Sequence, residues 1–403
     1  MKPKLILVGT GMAGTRFLEH LLEEAPNSYE IEVFNKEPVG GYNRIMLSPV
    51  LAGEKTIPDI MTHDESWFEE RSIRLHTGKM VSAIDSVGQV LTTFCGETYF
   101  YDKLVIATGS NPFKLEIPGA DLPGVVTFRE IRDVENMLSV SQNHNKAVVI
   151  GGGLLGLEAA HGLMKRGMDV TVIHRSDVLM NMQMDKESSQ LLKSHLEQGS
   201  NGVSGMNFHL GVNTTEILGQ HQVEGIRLDD GSEIATDLVV MSIGIRPNTQ
   251  LAKQANLDVN RGILVNDFLE TSADNIYALG ECNEHRGQTY GLVAPLYEQA
   301  KILAKRLAGQ SVSYTGSITS TMLKVTGVNL FSAGEFKGEN GADVIVFRDL
   351  AKNIYRKIVL KNNQVIGALL FGDTTGANWL FELLRQKQNI SPMRDTLVFG
   401  PGY

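Results

Sequence analysis

Short, wholly apolar runs alternate along the chain with longer segments in which apolar residues return every three to four positions. The first run, Leu5–Val8, has the pattern of a parallel strand buried on both faces. Glycines follow at 9, 11 and 14. Phe17, Leu18, Leu21 and Leu22 then mark one face of a helix that stops at Pro26. A second strand, Ile31-Glu32-Val33-Phe34, completes a strand–helix–strand unit. The same series recurs from Ala147–Ile150, with glycines at 151, 152, 153 and 156, a helix over Leu157–Met164 with Gly167 near its end, and a strand at Val170–Ile173. This internal repeat organises the chain.

Between the repeats, residues 73–107 read as short β segments ending in the strand Lys103–Ala107. The Pro- and Gly-rich stretch Pro112–Gly124 reads as a crossing linker. Residues 203–243 return to hairpin-like β structure with a turn at Asp229-Asp230-Gly231, and a further strand leads into Tyr277–Gly280. A long helix starts near Pro295 and carries Leu296, Ala300, Leu303 and Leu307. The last portion, 313–403, has strands near 343–348, 354–360 and 365–371. It ends in an amphipathic helix over 376–387 with Trp379, Leu380, Leu383 and Leu384 on one side.

The pattern predicts an α/β protein: two Rossmann-like three-layer ββα dinucleotide-binding domains and a small α+β C-terminal domain. The expected boundaries are 1–112 with 240–312 for the first domain, 113–239 for the second and 313–403 for the third.

Composition narrows this picture. The 403 residues suit two or three domains, and 42% hydrophobic with 21% charged residues is an ordinary globular balance without a disordered segment. The 37 basic and 46 acidic residues leave a net charge of -9, spread along the chain, which argues against nucleic acid as a partner. Only two cysteines occur, Cys95 and Cys282, far apart. They form neither a disulfide framework nor a clustered thiolate metal site, and the ten histidines show no ligand spacing, so no metal is expected. The opening Met1-Lys2-Pro3-Lys4 and its short apolar run, stopped by Gly9, are too short for a signal-peptide core or a membrane span. The expectation is a cytoplasmic protein without a membrane partner.

The glycines carry the chemistry. Gly9-Thr10-Gly11-Met12-Ala13-Gly14 is a full G-x-G-x-x-G between a strand and a helix. The first glycine permits the tight turn, the second lets the backbone approach a pyrophosphate, and the third lets helix and strand pack closely. The helix N-terminus then presents free N–H groups to the phosphates. Past the second strand lie Asn35, Lys36 and Glu37, and Glu37 is the candidate ligand of the adenosine ribose; the alternative is an exposed surface glutamate. The second loop, Gly151-Gly152-Gly153-Leu154-Leu155-Gly156, has the same flanks. After its second strand stand His174 and Arg175 instead of an acid. Arg175 suits a 2′-phosphate, which leans the choice between NADH and NADPH toward NADPH; the alternative is a solvated arginine. Two such loops in one chain point to a hydride relay.

These residues resemble the two-dinucleotide pyridine-nucleotide flavoprotein reductases, the group of rubredoxin, ferredoxin and glutathione reductases. Ala107-Thr108-Gly109-Ser110 resembles the segment that crosses over beside FAD. Gly244-x-Arg246-Pro247-Asn248 resembles the segment returning from the nicotinamide domain. Thr271 to Gly280-Glu281 resembles the second FAD motif, which usually ends Gly-Asp. The ending Gly280-Glu281-Cys282 narrows the match. With Tyr42-Asn43-Arg44, Leu51-Ala52-Gly53, Tyr290-Gly291-Leu292-Val293-Ala294-Pro295, Ser320-Thr321-x-Leu323-Lys324 and Gly372-Asp373-Thr374, the chain looks like the N-terminal flavoprotein half of the large subunit of bacterial NAD(P)H-dependent nitrite reductases.

The resemblance implies FAD at Gly9, Gly11, Met12, Ala13, Gly14, Asn35, Lys36, Glu37, Arg44, Val81, Ala107, Thr108, Gly109, Gly280 and Glu281. It implies the nicotinamide coenzyme at Gly151, Gly153, Leu154, Leu155, Glu158, His174, Arg175 and Gly244. Hydride then passes from nicotinamide to flavin, and electrons pass on to a redox protein: a nitrite or nitrate reductase component, a rubredoxin or a ferredoxin. Glu158 and Arg44 are the catalytic candidates, against a helix residue that only packs and a plain surface salt bridge. The lysine that often pairs with the glutamate is absent, with Ser48-Pro49 at its place. Gly40–Ser48 holds no cysteine and no C-x-x-C occurs, which removes dithiol chemistry. Cys282 is either redox-active beside the flavin or a packed small hydrophobe. The relatives' iron–sulfur and sirohaem regions have no counterpart before Tyr403, so a stand-alone reductase module is expected, and 313–403 is where relatives dimerise into homodimers. A flavin-bearing scaffold or redox-sensing subunit is the reading from another class.

Overall fold

A computed structural model describes residues 2–199, 205–325, 327–339 and 341–402. The start of the expected 203–243 β region, at 203 and 204, and the C-terminal Tyr403 lie outside the described residues. The chain divides into two compact units. One comprises Met1–Leu47, Lys55–Asn111 and Ile245–Ser317; the other comprises Ser48–Glu54, Pro112–Gly244 and Ile318–Tyr403.

The first unit is built on a five-stranded parallel sheet, ordered Ile276–Ala278, Lys103–Ile106, Lys4–Val8, Glu30–Phe34 and Arg74–His76. Lys4–Val8 lies at its centre, and Leu5, Ile6 and Leu7 are fully buried, as an all-apolar parallel strand requires. Helices Met12–Glu24 and Val293–Leu307 pack on each other and drive Phe17, Leu18, Leu296, Ala300 and Leu303 into the core. A three-stranded antiparallel sheet, Val81–Asp85, Val90–Thr93 and Thr98–Phe100, adds Ile84 and Leu91 to that core.

The second unit repeats the plan. Its parallel sheet runs Asn207–Leu210, Asp169–His174, Lys146–Ile150, Leu238–Met241 and Val125–Thr127. The antiparallel strands Thr214–Leu218, Gly225–Leu228 and Glu233–Ala235 contribute Ile217, Ile226 and Leu228 to the core around Val148 and Val239. Helix Leu154–Lys165 follows the second glycine loop. The same unit holds a five-stranded antiparallel sheet, ordered Ser320–Val325, Val328–Gly334, Gln364–Phe371, Ile354–Lys361 and Asp343–Asp349. Helix Ala377–Gln386 packs Leu380, Leu383 and Leu384 against Phe331, Ile358 and Leu370 of that sheet.

The expected fold class is met: two Rossmann-like dinucleotide folds and a C-terminal α+β portion. Helices Ile131–Ser141 and Lys186–Gln198 and strands Ser320–Val325 and Val328–Gly334 are additions to the sequence reading. Helix Lys186–Gln198 is hard to read because its buried face mixes Ser188 and Ser189 with Leu192 and Leu196, which blurs the apolar stripe. Residues 48–54, early in the chain, group with the second unit.

Candidate cofactor sites

In the first unit the glycine loop joins strand Lys4–Val8 to helix Met12–Glu24. Gly9 has φ +110°, and a Cβ there would stand 2.4 Å from the Ala107 carbonyl oxygen. A Cβ on Gly14 would meet the Gly9 oxygen at 2.2 Å, whereas a Cβ on Gly11 would meet nothing within 4 Å. Two glycines are therefore required by packing, while the middle one faces open space through which a pyrophosphate can approach the backbone. Gly11 is the helix N-cap and supplies no side-chain hydrogen bond, so the first N–H groups are free to face a phosphate.

The other expected FAD residues gather in the same unit. Gly280, at φ +91°, would place a Cβ 3.0 Å from the Ala13 Cβ, so only a residue without a side chain lets the second motif reach the first loop. The Asn248 N–H donates to the Gly109 carbonyl at 2.9 Å and the Thr108 hydroxyl to the Asn248 carbonyl at 3.2 Å, which joins the crossover segment to the returning one. Glu281 accepts from the Ser110 hydroxyl at 2.8 Å. Glu37 is buried; it accepts from the Tyr42 hydroxyl at 2.9 Å and pairs with Arg44, whose Nη1 donates to the Tyr42 hydroxyl at 2.7 Å. Arg44 is thus brought onto the candidate ribose ligand. Asn35 is buried and donates to the Val39 carbonyl at 2.7 Å, Lys36 is exposed, and Val81 is half-buried at the start of its strand.

Cys282 is fully buried, its Sγ 3.3 Å from the Leu279 carbonyl, and burial pushes its thiol up to about 11. A neutral thiol with no access to solvent behaves as a packed hydrophobe.

The second unit repeats the cradle. Gly151 has φ +124°, with a Cβ there 2.1 Å from the Ser242 oxygen; a Cβ on Gly156 would meet the Gly151 oxygen at 1.9 Å, and one on Gly153 nothing within 4 Å. Gly153 caps helix Leu154–Lys165 without a side-chain bond. Leu155 in the first turn is 39% exposed, an apolar side chain facing outward beside the open glycine. Gly244 has φ +120° with open space around it. His174 lies against Gly152, and its Nε2 is buried without a hydrogen-bond partner among the described residues. Burial holds its ring below the ordinary histidine value, with Arg175 adding to the effect against a backbone hydrogen bond to Val178. Arg175 is exposed.

Glu158, one turn into the helix, accepts a 2.6 Å hydrogen bond from the Ser48 hydroxyl. Burial raises its carboxyl above the ordinary glutamate range, against the lowering pull of that bond. Ser48 therefore occupies, as a neutral donor, the place where the resemblance expects a lysine.

One polar contributor escapes the sequence reading. Buried Gln299 accepts from the Gly280 N–H at 2.9 Å and from Asn283 Nδ2 at 3.0 Å, pinning the Gly280 turn. Its signal is a glutamine interrupting the apolar stripe Leu296, Ala300, Leu303. Ser48, placed by the resemblance where a lysine is usual, gains its role as donor to Glu158 only from the structure, since the two lie 110 positions apart. Among the described residues no cluster of His, Cys, Asp and Glu is arranged to hold a metal, and no helix is long and apolar enough to cross a membrane.

Both cradles fit dinucleotides: each has an open glycine, an uncapped helix start and packing that forbids a larger residue at the flanking glycines. Residues 3–300 match the pyridine nucleotide-disulphide oxidoreductase family, and residues 320–388 match the rubredoxin NAD+ reductase C-terminal domain. The chain is 48% identical over 401 residues to a nitrite reductase (NAD(P)H) of Bacillus subtilis, covering 99% of this chain and 49% of that protein. It is 43% identical over 398 residues to the assimilatory nitrate reductase electron transfer subunit of the same organism, covering 98% and 51%. The chain thus spans about half the length of these two relatives. Among solved structures, the NADH:rubredoxin oxidoreductase of Clostridium acetobutylicum superposes with a TM-score of 0.82 at 26% identity, covering 97% of each chain.

Proposed function

The chain belongs to the pyridine nucleotide-disulphide oxidoreductase family, and on that premise we propose that it oxidises NAD(P)H through bound FAD and passes the electrons to a separate redox protein of nitrite or nitrate assimilation. The observation that carries this reading is the pair of equivalent glycine cradles, each following the central strand of a five-stranded parallel sheet. The first cradle, with Gly280-Glu281, would hold FAD, which would supply the electron-transfer chemistry between a two-electron nicotinamide donor and a one-electron acceptor.

The protein's part is to bind and orient. Gly9, Gly11 and Gly14 take the FAD pyrophosphate at the helix start. Glu37, aligned by Tyr42 and Arg44, takes the adenosine ribose, and Gly280-Glu281, pinned by Gln299 and Ser110, takes the ribityl side. Gly151, Gly153 and Gly156 take the coenzyme pyrophosphate, with Leu154, Leu155 and Gly244 lining its path. His174 offers an unused ring nitrogen to the ribose, and exposed Arg175 meets a 2′-phosphate, which favours NADPH. Glu158, held by Ser48, orients the nicotinamide end. Buried Cys282 takes no part.

Anaerobic mixing with NADPH should bleach the flavin absorbance within the turnover time, and the reduced protein should then reduce the cognate nitrite or nitrate reductase component. No bleaching with either coenzyme refutes the reading. Arg175→Ser should lower kcat/KM for NADPH by about tenfold, the worth of one charged hydrogen bond, and leave NADH nearly unchanged. A second reading, a rubredoxin-type reductase, is favoured by the match over residues 320–388. It prevails if rubredoxin alone is reduced efficiently in an acceptor panel.

A further inference from the structure

The loop that leaves the coenzyme-facing end of strand Asp169–His174 runs over residues 175–184 and ends at Asp185, the N-cap of helix Lys186–Gln198. It returns to the second glycine loop. The Met180 N–H donates to the Gly152 carbonyl at 2.8 Å, and Leu179 packs where a Cβ on Gly152 would stand. The Leu179 N–H donates to the buried Ser189 hydroxyl of the helix at 2.7 Å. Met180 is buried with φ +48°, a conformation that side-chain-bearing residues adopt only when their surroundings impose it.

The anchor comes from the C-terminal sheet. Asp185 Oδ1 accepts from the Ser188 N–H at 3.0 Å and the Ser188 hydroxyl at 2.8 Å, which already satisfies the helix cap. Its Oδ2 accepts two further bonds from strand Ile354–Lys361: the Tyr355 hydroxyl at 2.8 Å and Lys357 Nζ at 3.0 Å. Tyr355 is 2% exposed, and Lys357 and Asp185 are largely buried. Arg348 of strand Asp343–Asp349 pairs with Glu187 in the same first helical turn. A helix cap needs none of these donors, 161 to 172 positions away in the chain.

We propose that Asp185, Tyr355 and Lys357 are positioning residues for the nicotinamide coenzyme: the C-terminal sheet clamps the start of helix Lys186–Gln198, and through it fixes the 175–184 loop in the shape that receives the adenosine end of NAD(P)H. Lys357 and Tyr355 hold Asp185. Asp185 and Ser189 hold the loop ends. Met180 and Leu179 hold the loop against Gly152, beside the open Gly153. The proposal rests on the functional reading above, because it assigns the second cradle to the coenzyme.

The test uses the FAD-loaded full chain carrying Tyr355→Phe, Lys357→Met or Asp185→Asn, the last keeping an efficient cap while removing the charge. The KM for NADPH should rise about tenfold in Lys357→Met and Asp185→Asn. The rate of flavin reduction at saturating coenzyme and the bound flavin content should stay within about twofold. Lys357→Arg should restore the wild-type KM. Without coenzyme, amide hydrogen exchange over 177–184 should speed up in the variants, and saturating NADPH should slow it again. If melting temperatures fall while KM and loop exchange stay at wild-type values, the clamp is structural only and the proposal is overturned. If the wild-type flavin is reduced by neither coenzyme, the functional reading falls and the proposal with it.

Discussion

Burial raises two acids here, a thiol and a carboxyl. Cys282 sits sealed under the Leu279 carbonyl with its thiol pushed up to about 11, so thiolate is scarce at neutral pH. Exposed Cys95 should therefore be the cysteine that iodoacetamide labels in the native protein, read by peptide mass spectrometry, with Cys282 labelled only after unfolding. Cys282→Ala should reduce its flavin as fast as wild type. Glu158 is raised by burial, opposed by the Ser48 hydroxyl, so its neutral form is the one the fold favours. A carboxyl raised in the folded state contributes stability that is complete below the ordinary glutamate range and is lost as pH rises through its raised value. Glu158→Gln should flatten that slope in melting temperature against pH, and Ser48→Ala should shift it to higher pH. The Glu158 candidacy was legible because it rests on a motif position. The place of its partner, Ser48, came from the resemblance, but the hydrogen bond itself, spanning 110 positions, leaves no periodic trace.

At the scale of elements, the two strand–glycine–helix units were legible because backbone geometry dictates glycine at fixed offsets. A larger residue at Gly14 or Gly156 would collide with a carbonyl about 2 Å away, so the spacing is a steric record. Substitution should separate the two roles. Gly156→Ala drives a Cβ into backbone and should destabilise the fold by about 2 kcal/mol or more in denaturant melts. Gly153→Ala meets only open space, should cost about 0.5–1 kcal/mol as a poorer cap, and should show its effect as a raised coenzyme KM. Helix Lys186–Gln198 and strands Ser320–Val325 and Val328–Gly334 were harder to read. Buried serines break the helix stripe, and the worth of an antiparallel strand lies in partners the local pattern does not name.

At the scale of the molecule, the path of the chain matters more than any one contact. It passes from one compact unit to the other after Leu47, Glu54, Asn111, Gly244 and Ser317. In the second unit, Arg166 donates to the Leu51 carbonyl at 2.6 Å and the Val50 carbonyl at 3.0 Å, and Leu51 fills the space a side chain on Gly162 would take. Residues 112–244 expressed alone should therefore be poorly soluble, and joining residues 48–54 by a flexible linker should recover soluble protein in a sedimentation assay. In the first unit, strand Lys103–Ile106 waits for Ile276–Ala278 as its sheet neighbour, and helix Met12–Glu24 waits for Val293–Leu307. On a translating ribosome at ~5–20 residues per second, the opening nucleotide fold stays unfinished for roughly ten to forty seconds after its first hundred residues emerge. Nascent chains arrested before Val293 clears the exit tunnel should release FAD, and those arrested after Leu307 clears it should keep it. The birth of the flavoprotein is thus timed by the last helix of its first fold, and during that interval strand Lys103–Ile106 leaves one sheet edge open.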